Sequence, residues 1–508
     1  MVSIMSSSFE PTNSKNWGWL WLCLALHFVL SGIFVFILPL WGAVPDEPLH
    51  YSHIKFVGEF WRLPYITDPR NFGGNLADYC FTADPVGTSQ HGPLYYWSAA
   101  PLFWITKSLS VEAQLYVLRF WSLLWGAAML VLLFLTLRRI FRDSSALIGP
   151  LLLCATLLPH RLLMSSVVYN DITCATMLTL AFFLLSKATE DDAKWQAWLW
   201  AGVGLGLAAL TKRVALVALP AFLFAIFLQN RRSPYGKAAL LQNLAACFGA
   251  FTLVAGWWFL RDISLYGELF PTEPAIVRRT WGDLLLYAPA EELRFMFTYA
   301  LRGLWLSLWS QVGWLPWEVG GGWGALSLFL YGGFALVSLA CGLGYFGGLK
   351  SRWRGMNAYS QNWVTISLIT VLGMIYGALN WVLRFSFHNN EETGKHAISI
   401  AVCILILLGA SSRFWLGEKK APYLPLVLAG LLAIYDVGSI TYLQTVLIPA
   451  HRPATPALAK MKVSDLPSGR APGIWHRYVV PGVTQLGPAI PRPESAKPPL
   501  NFRDFPTP

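Results

Sequence analysis

Long apolar stretches separated by short polar ones recur from one end of the chain to the other. The first runs from Trp17 to Trp41, and further runs are read at Leu118–Leu137, Ala146–Pro159, Ile172–Ser186, Trp195–Leu210, Val214–Leu228 and Leu240–Leu260. The last four are Trp323–Leu349, Trp363–Leu383, His396–Ala410 and Tyr423–Val446. Continuous runs of this kind predict helices that cross a bilayer, in which every backbone polar group is satisfied within its own segment. Closed barrels need short alternating segments, which this chain lacks. The pattern predicts an all-α polytopic membrane protein, a bundle of about eleven transmembrane helices.

Two polar stretches interrupt the pattern. The first, Pro45–His91, is rich in Pro, Gly and Asn and reads as turns and short pieces. It leads into Pro93–Leu109, which is apolar but short, broken by Pro101 and rich in Tyr and Trp. That composition suits a helix lying in the membrane interface. The second stretch, between Asp262 and Gly322, contains a similar aromatic piece, Trp305–Trp317. Interfacial helices are therefore expected in the first and fourth outer loops. The expected organisation is a polar tail at 1–16, a membrane unit at 17–446 with outer loops at 43–117 and 262–322, and a Pro-rich tail at 447–508. The first run is too long for a signal-peptide core and reads as a retained anchor.

Composition agrees: 55% of the 508 residues are hydrophobic and only 13% are charged. The net charge of +11 calls for no nucleic acid, because basic loops facing the cytoplasm account for it. Cys80 alone of the seven cysteines lies in a loop, and no disulfide framework or Cys/His metal spacing is visible. Basic clusters at Arg138/Arg139/Arg142, Lys187/Lys194, Arg231/Arg232/Lys237, Lys350/Arg352/Arg354 and Arg413/Lys419/Lys420 fall on one side if Pro93–Leu109 does not cross. The N-terminus shares that side, which the positive-inside rule makes cytoplasmic. Asp46, both long loops and the C-terminal tail are then outside. The expected setting is the bacterial inner or plasma membrane.

Against that topology some charges stand out. Asp46 and Glu47 follow the first span directly, and acids held near a bilayer require water, a partner or a substrate. The plainer account is a helix start, since Pro45 can open a helix and acids favour its first turn. Asp171 is a third outer carboxylate, with N-capping as its plain account. Arg161, Lys212, Arg213, Arg384 and Lys395 lie at outer span ends, where the rule disfavours cations, and His91, Arg261 and His396 lie near the same level. Snorkelling accounts for any one of them. Together they suggest an anion, and phosphate suits Lys and Arg donors. Outer carboxylates, outer cations and interfacial aromatics fit a reaction in which an acceptor hydroxyl gives its proton to a carboxylate while a lipid phosphate leaves. Asp46-Glu47-Pro48-Leu49-His50 lacks the first His of a zincin motif.

These strings resemble the GT-C glycosyltransferase superfamily, which includes protein O-mannosyltransferases and aminoarabinose transferases. The likeness rests on Asp46-Glu47 after the first span and on Gln90-His91-Gly92-Pro93-Leu94-Tyr95-Tyr96 before an interfacial helix. It also rests on the span from Arg119 to Arg139, Asn170-Asp171, Thr211-Lys212, Trp257-Trp258 with Leu265-Tyr266-Gly267, and Thr393-Gly394-Lys395-His396. Gly92 and Lys395 depart from the commonest forms of these strings. The resemblance implies a GT-C-like bundle, a polyprenyl-phosphate sugar as donor, a glycan, lipid or protein hydroxyl as acceptor, and inversion at the anomeric carbon. It implies Asp46 as general base, supported by Glu47 or Asp171, and a donor phosphate held by His91, Lys212, Arg213, Lys395 and His396. His50, Tyr95, Asn170 and Arg261 are the expected substrate contacts. Some members need a divalent metal and others do not, and no ligand set is evident here, so no cofactor is assigned. The rival expectation is a lipid-linked or small-solute transporter, but the internal repeat common in transporters is absent.

The topology yields a direct expectation. Single cysteines introduced as Ser89→Cys or Glu273→Cys are labelled by an impermeant reagent from outside, and those introduced as Arg142→Cys or Lys350→Cys are not. Outside labelling at Arg142→Cys would invert the orientation.

Overall fold

The computed structural model describes residues 15–38, 47–64, 91–232, 236–271, 324–350, 356–385 and 396–447, together with 290, 294, 460, 462 and 464. The described part is helical, with one isolated bridge between Ser110 and Lys462 and no strand. Each apolar run carries a helix, and eight of the described helices are long and apolar enough to cross a membrane. The runs at 146–159 and 195–210 form helices of 9 and 15 residues, Ile148–Thr156 (α5) and Trp195–Ala209 (α8). Both are shorter than the ~20 residues that a full crossing takes.

The first outer stretch differs from the expectation of turns and short pieces. Glu47–Phe60 is a 14-residue helix, α2, with Glu47 in its first turn. Its residues Tyr51, Ile54 and Val57, at helical spacing, are buried. They pack with Tyr95, Ala99 and Phe103 of Leu94–Ile105, α3. At 12 residues α3 is too short to span a bilayer, as its sequence suggested. The piece Trp305–Trp317 lies outside the described residues. Of the tail, Ser464 donates its N–H to the Lys107 carbonyl at 2.9 Å, beside the turn between α3 and Val111–Ile140, α4.

The centre of the bundle is α8 held between Asp171–Ala188, α7, and Gly236–Tyr266, α10. Gly202 and Gly206, one helical turn apart, face α10, and a Cβ at Gly202 would stand 1.9 Å from the Cys247 carbonyl oxygen. Small residues at this spacing let two membrane helices approach backbone to backbone. The close approach fixes the C-terminal end of α8, where Thr211 and Lys212 follow.

Charge sorts to the two ends of the bundle. At one end Arg139 pairs with Glu190 at 2.7 Å, Arg142 lies 3.6 Å from the same carboxylate, and Gln229 donates to the Glu190 carbonyl. These residues lie in or beside the loops that carry the basic clusters. At the other end lie Glu47, His91, Asp171, Lys212 and His396. Arg161 departs from the expectation of an outer cation waiting for an anion. It is buried, and it donates to the Ala155 and Thr156 carbonyls at the end of α5 and to His27 Nδ1. Helix-end carbonyls accept such donors because nothing within the helix satisfies them.

The end that carries Glu47 and Asp171 is tied together by Arg119 of α4. Its Nε and Nη2 grip Glu47 at 2.9 and 2.7 Å, and its Nη1 donates to the Val35 and Leu38 carbonyls at the end of Lys15–Ile37, α1. Glu47 Oε1 also accepts the Val168 N–H at 3.0 Å. One buried ion pair therefore joins α1, α2, α4 and the turn before α7. Removing one partner of such a pair leaves an uncompensated buried charge, which costs about 3–5 kcal/mol. Arg119→Leu is expected to lower the thermal midpoint in detergent sharply, and Arg119→Leu with Glu47→Leu to recover much of the loss. A single variant as stable as the parent would remove the pair from this role.

Candidate active site

Two chain reversals build the site. The first is the turn Ser165–Asn170, which ends where α7 begins at Asp171. A carboxylate there faces the positive end of the helix dipole. The second is the break after α8, where Lys212 is extended at φ −158° and ψ 138° before the short helix Arg213–Ala218. An extended residue turns successive side chains to opposite sides. Lys212 accordingly meets Asp171 and Arg213 meets Asp262, two different carboxylates. His396, the first residue of the described stretch 396–447, joins them.

Asp171 is fully buried, and Lys212 Nζ donates to its Oδ1 and Oδ2 at 2.9 and 2.8 Å. His396 Nδ1 stands 3.3 Å from Oδ1 of the same carboxylate. The Lys212 ammonium also lies 5.4 Å from the centre of the Tyr169 ring. A buried acid with two basic side chains on it can hold a cation in place and charged, ready for an anion to join.

His91 is brought to this pair by Gly92. The Leu94 N–H donates to the Leu210 carbonyl at 3.1 Å, and a Cβ at Gly92 would stand 2.1 Å from that carbonyl oxygen. The sequence's departure at this position thus has a steric reason: the strand of chain lies directly on the end of α8. Asn170 Nδ2 contacts His91 Nδ1 at 3.2 Å. Burial, and after it the Lys212 cation and then His50, push the His91 pKa well below the usual imidazole value, against the pull of Asp171. His91 is therefore neutral at physiological pH.

Behind His91 stands an aromatic wall. His50 of α2 is buried, with Nδ1 2.8 Å from the Tyr96 hydroxyl, and its ring lies 5.6 Å from His91 and 4.2 Å from Tyr169. His53, one helical turn on, stacks on Tyr96 at 3.5 Å. Tyr95 points away, its hydroxyl 3.2 Å from Ser122 Oγ in the core between α3 and α4.

A second group lies beside the first. Buried Asp262 stands between Arg213 at 3.6 Å and Arg261 at 3.5 Å. Arg213 also donates to the Pro271 carbonyl, and Arg261 donates to the Pro64 carbonyl while covering Trp258 at 4.6 Å.

Of the residues expected from sequence, His50, His91, Asn170, Asp171, Lys212 and His396 come together, and Arg213 and Arg261 form the adjoining group. Glu47 lies in the Arg119 clamp, one residue from Asp46. Asp46 and Lys395 lie outside the described residues, as does the side chain of Arg384. Sequence reasoning left Arg119, Tyr96, Tyr169 and Asp262 without a role. Each sits next to a residue that it did single out or inside a string that it quoted, which was the available signal. Among the described residues no group of three His, Cys, Asp or Glu side chains is placed to hold a metal ion.

The family model described as dolichyl-phosphate-mannose-protein mannosyltransferase matches residues 90–258. That stretch carries the His91, Asn170-Asp171, Thr211-Lys212 and Trp257-Trp258 strings, and the match agrees with the GT-C resemblance. No curated protein matches the chain in sequence. Among solved structures, the chain is similar to ArnT from Cupriavidus metallidurans bound to undecaprenyl phosphate, at 14% identity and a TM-score of 0.46 over 85% of this chain and 79% of that one. It is also similar to the Archaeoglobus fulgidus oligosaccharyltransferase, at 14% identity and a TM-score of 0.46 over 92% of this chain and 57% of that one. The Saccharomyces cerevisiae protein O-mannosyltransferase Pmt1-Pmt2 complex, bound to its sugar donor, is similar at 14% identity and a TM-score of 0.37 over 50% of this chain and 34% of that one. These structural likenesses are loose.

Proposed function

We propose that this GT-C-like membrane protein transfers a sugar from a polyprenyl-phosphate donor to an acceptor hydroxyl at the extracytoplasmic face, with inversion. The observation that carries the reading is Lys212, an ammonium fixed by buried Asp171 and grouped with His91 and His396 at one end of the bundle. Its position inside the mannosyltransferase family match supports the same reading. A lipid phosphate presented at this end would meet the ion-paired Lys212 and neighbouring N–H donors, which stabilise it as a leaving group.

The chemistry then needs one base. The acceptor oxygen attacks the anomeric carbon from the face opposite the phosphate. The C1–O bond to phosphate breaks as the new C1–O bond forms, and the acceptor proton passes to a carboxylate. Asp46 takes that proton in this reading. Asp171 is committed to Lys212, and Glu47 is committed to Arg119. Both are held in buried ion pairs, which leaves Asp46 as the carboxylate this reading assigns to the proton. Asp46 follows the first span directly, and the clamped Glu47 beside it anchors the start of α2. The departing phosphate needs no separate acid, because cations already balance its charge; glycoside hydrolysis, by contrast, usually uses two carboxylates.

Asp46→Asn keeps the side-chain shape and removes the base. In purified protein given a prenyl-phosphate sugar and a set of acceptors, it is expected to bind donor normally while turnover falls by about 10²–10⁴. Near-normal transfer at matched protein levels would remove Asp46 as the base.

A further inference from the structure

The contacts of Asn170 specify more than its place in the site. Its side-chain Nδ2 lies 3.2 Å from His91 Nδ1 and 3.4 Å from the Thr211 carbonyl oxygen. A backbone carbonyl can only accept, so it selects the amide's NH2 end. With the amide reversed, two oxygens would confront each other at Thr211. The NH2 group therefore donates to His91 Nδ1, which must carry a lone pair there. The ring's proton is then on Nε2. Oδ1 of Asn170 is buried without a hydrogen-bond partner among the described residues, which the protein tolerates in order to keep this orientation.

We propose that Asn170 is a positioning residue that locks His91 as a neutral Nε2–H donor, and that this N–H, and not an imidazolium, meets the phosphate of the prenyl donor. The identity of that ligand rests on the glycosyl-transfer reading; the tautomer does not. The surroundings of His91 agree from every side. His50 faces it from α2, and the Tyr96 hydroxyl of α3 stands 3.4 Å from the same Nδ1. The same hydroxyl lies closer to His50 Nδ1, at 2.8 Å. Asp171 faces His91 from α7, and Lys212 and Arg213 from the break after α8. With Lys212 supplying the charge, a second cation beside it would be repelled, whereas a fixed neutral donor is not. Nε2 makes no hydrogen bond to a described residue and is the nitrogen left for a ligand.

The division of labour has a chemical use. A neutral imidazole whose one proton sits in a fixed direction orients a phosphate without charging or discharging as pH changes. Asn170 acts through His91 and touches no reacting atom in this scheme.

The test uses the full-length protein, labelled with 15N-histidine, in nanodiscs. Without any ligand, the imidazole nitrogen shifts of His91 are expected to report Nε2–H across about pH 6–8. In Asn170→Asp the carboxylate accepts from Nδ1, so the proton moves to Nδ1 and the ring begins to titrate within that range. Binding of undecaprenyl phosphate is then measured on the same samples. His91→Gln, whose amide also presents an N–H, is expected to stay within about threefold of the parent, and His91→Ala to bind about tenfold or more weakly. An Nδ1–H tautomer in the parent protein would overturn the Asn170 lock. His91→Gln binding as weakly as His91→Ala, or parent affinity that falls from about pH 6 to 8 while that of His91→Gln does not, would make the imidazolium the working form and overturn the proposal. A parent protein that binds no prenyl phosphate overturns the ligand and the glycosyl-transfer reading, while the ligand-free spectrum still judges the Asn170 contact by itself.

Discussion

The buried ion pair between Asp171 and Lys212 is the interaction on which the site end of the bundle depends. Neither charge could be left alone in this position, because a single ion taken out of water costs several kcal/mol. Each is placed by a different helix end: Asp171 opens α7 and Lys212 follows α8. The pair can form only if those two ends meet. The glycines of α8 let it lie close enough to α10 to bring its end to that point, and Gly92 lets the chain before α3 lie on the same end. His91 then arrives beside Lys212 as a consequence of backbone packing.

A second buried pair, Glu47 with Arg119, performs a similar task at the same end of the bundle. It closes the end of α1, starts α2 and fixes the turn that precedes α7. The two pairs together explain why so many ionisable side chains survive at this level of a membrane protein. Each acid has a cation as its partner. A phosphate entering at Lys212 would share a cation that is already desolvated and oriented, so little reorganisation would be needed on binding.

Much of this was legible in the sequence. The apolar runs gave the helices because hydrophobic length is the dominant constraint in a bilayer. The one-sided basic loops and the misplaced cations marked the two ends, and Asn170-Asp171 and Thr211-Lys212 were picked out before they were seen to touch. What was not legible has physical reasons. Pro45–His91 read as turns because its polar residues masked the helical spacing of Tyr51, Ile54 and Val57. Arg161 looked like a free outer cation, yet it caps α5, and nothing in a sequence says whether an arginine turns toward solvent or toward carbonyls. The partner of Glu47 lies 72 residues away on another helix, and tertiary pairing at that separation leaves no local pattern. Asp262 was passed over as the start of a loop, although it sits between two arginines.

The central claim is that the Lys212 cation is there for a lipid phosphate and not merely to neutralise Asp171. The direct measurement compares undecaprenyl phosphate binding by the parent protein and by the double variant Lys212→Gln with Asp171→Asn. The double variant removes the ammonium without leaving a buried carboxylate unpaired, so the fold's electrostatic balance is kept. Loss of a charge-assisted contact worth about 1.5–3 kcal/mol weakens binding by roughly 10- to 150-fold, and that is the predicted result. Arg142→Ala, at the opposite end of the bundle, serves as the control and is expected to change nothing. Undiminished affinity in the double variant, with its thermal midpoint near that of the parent, would contradict the account.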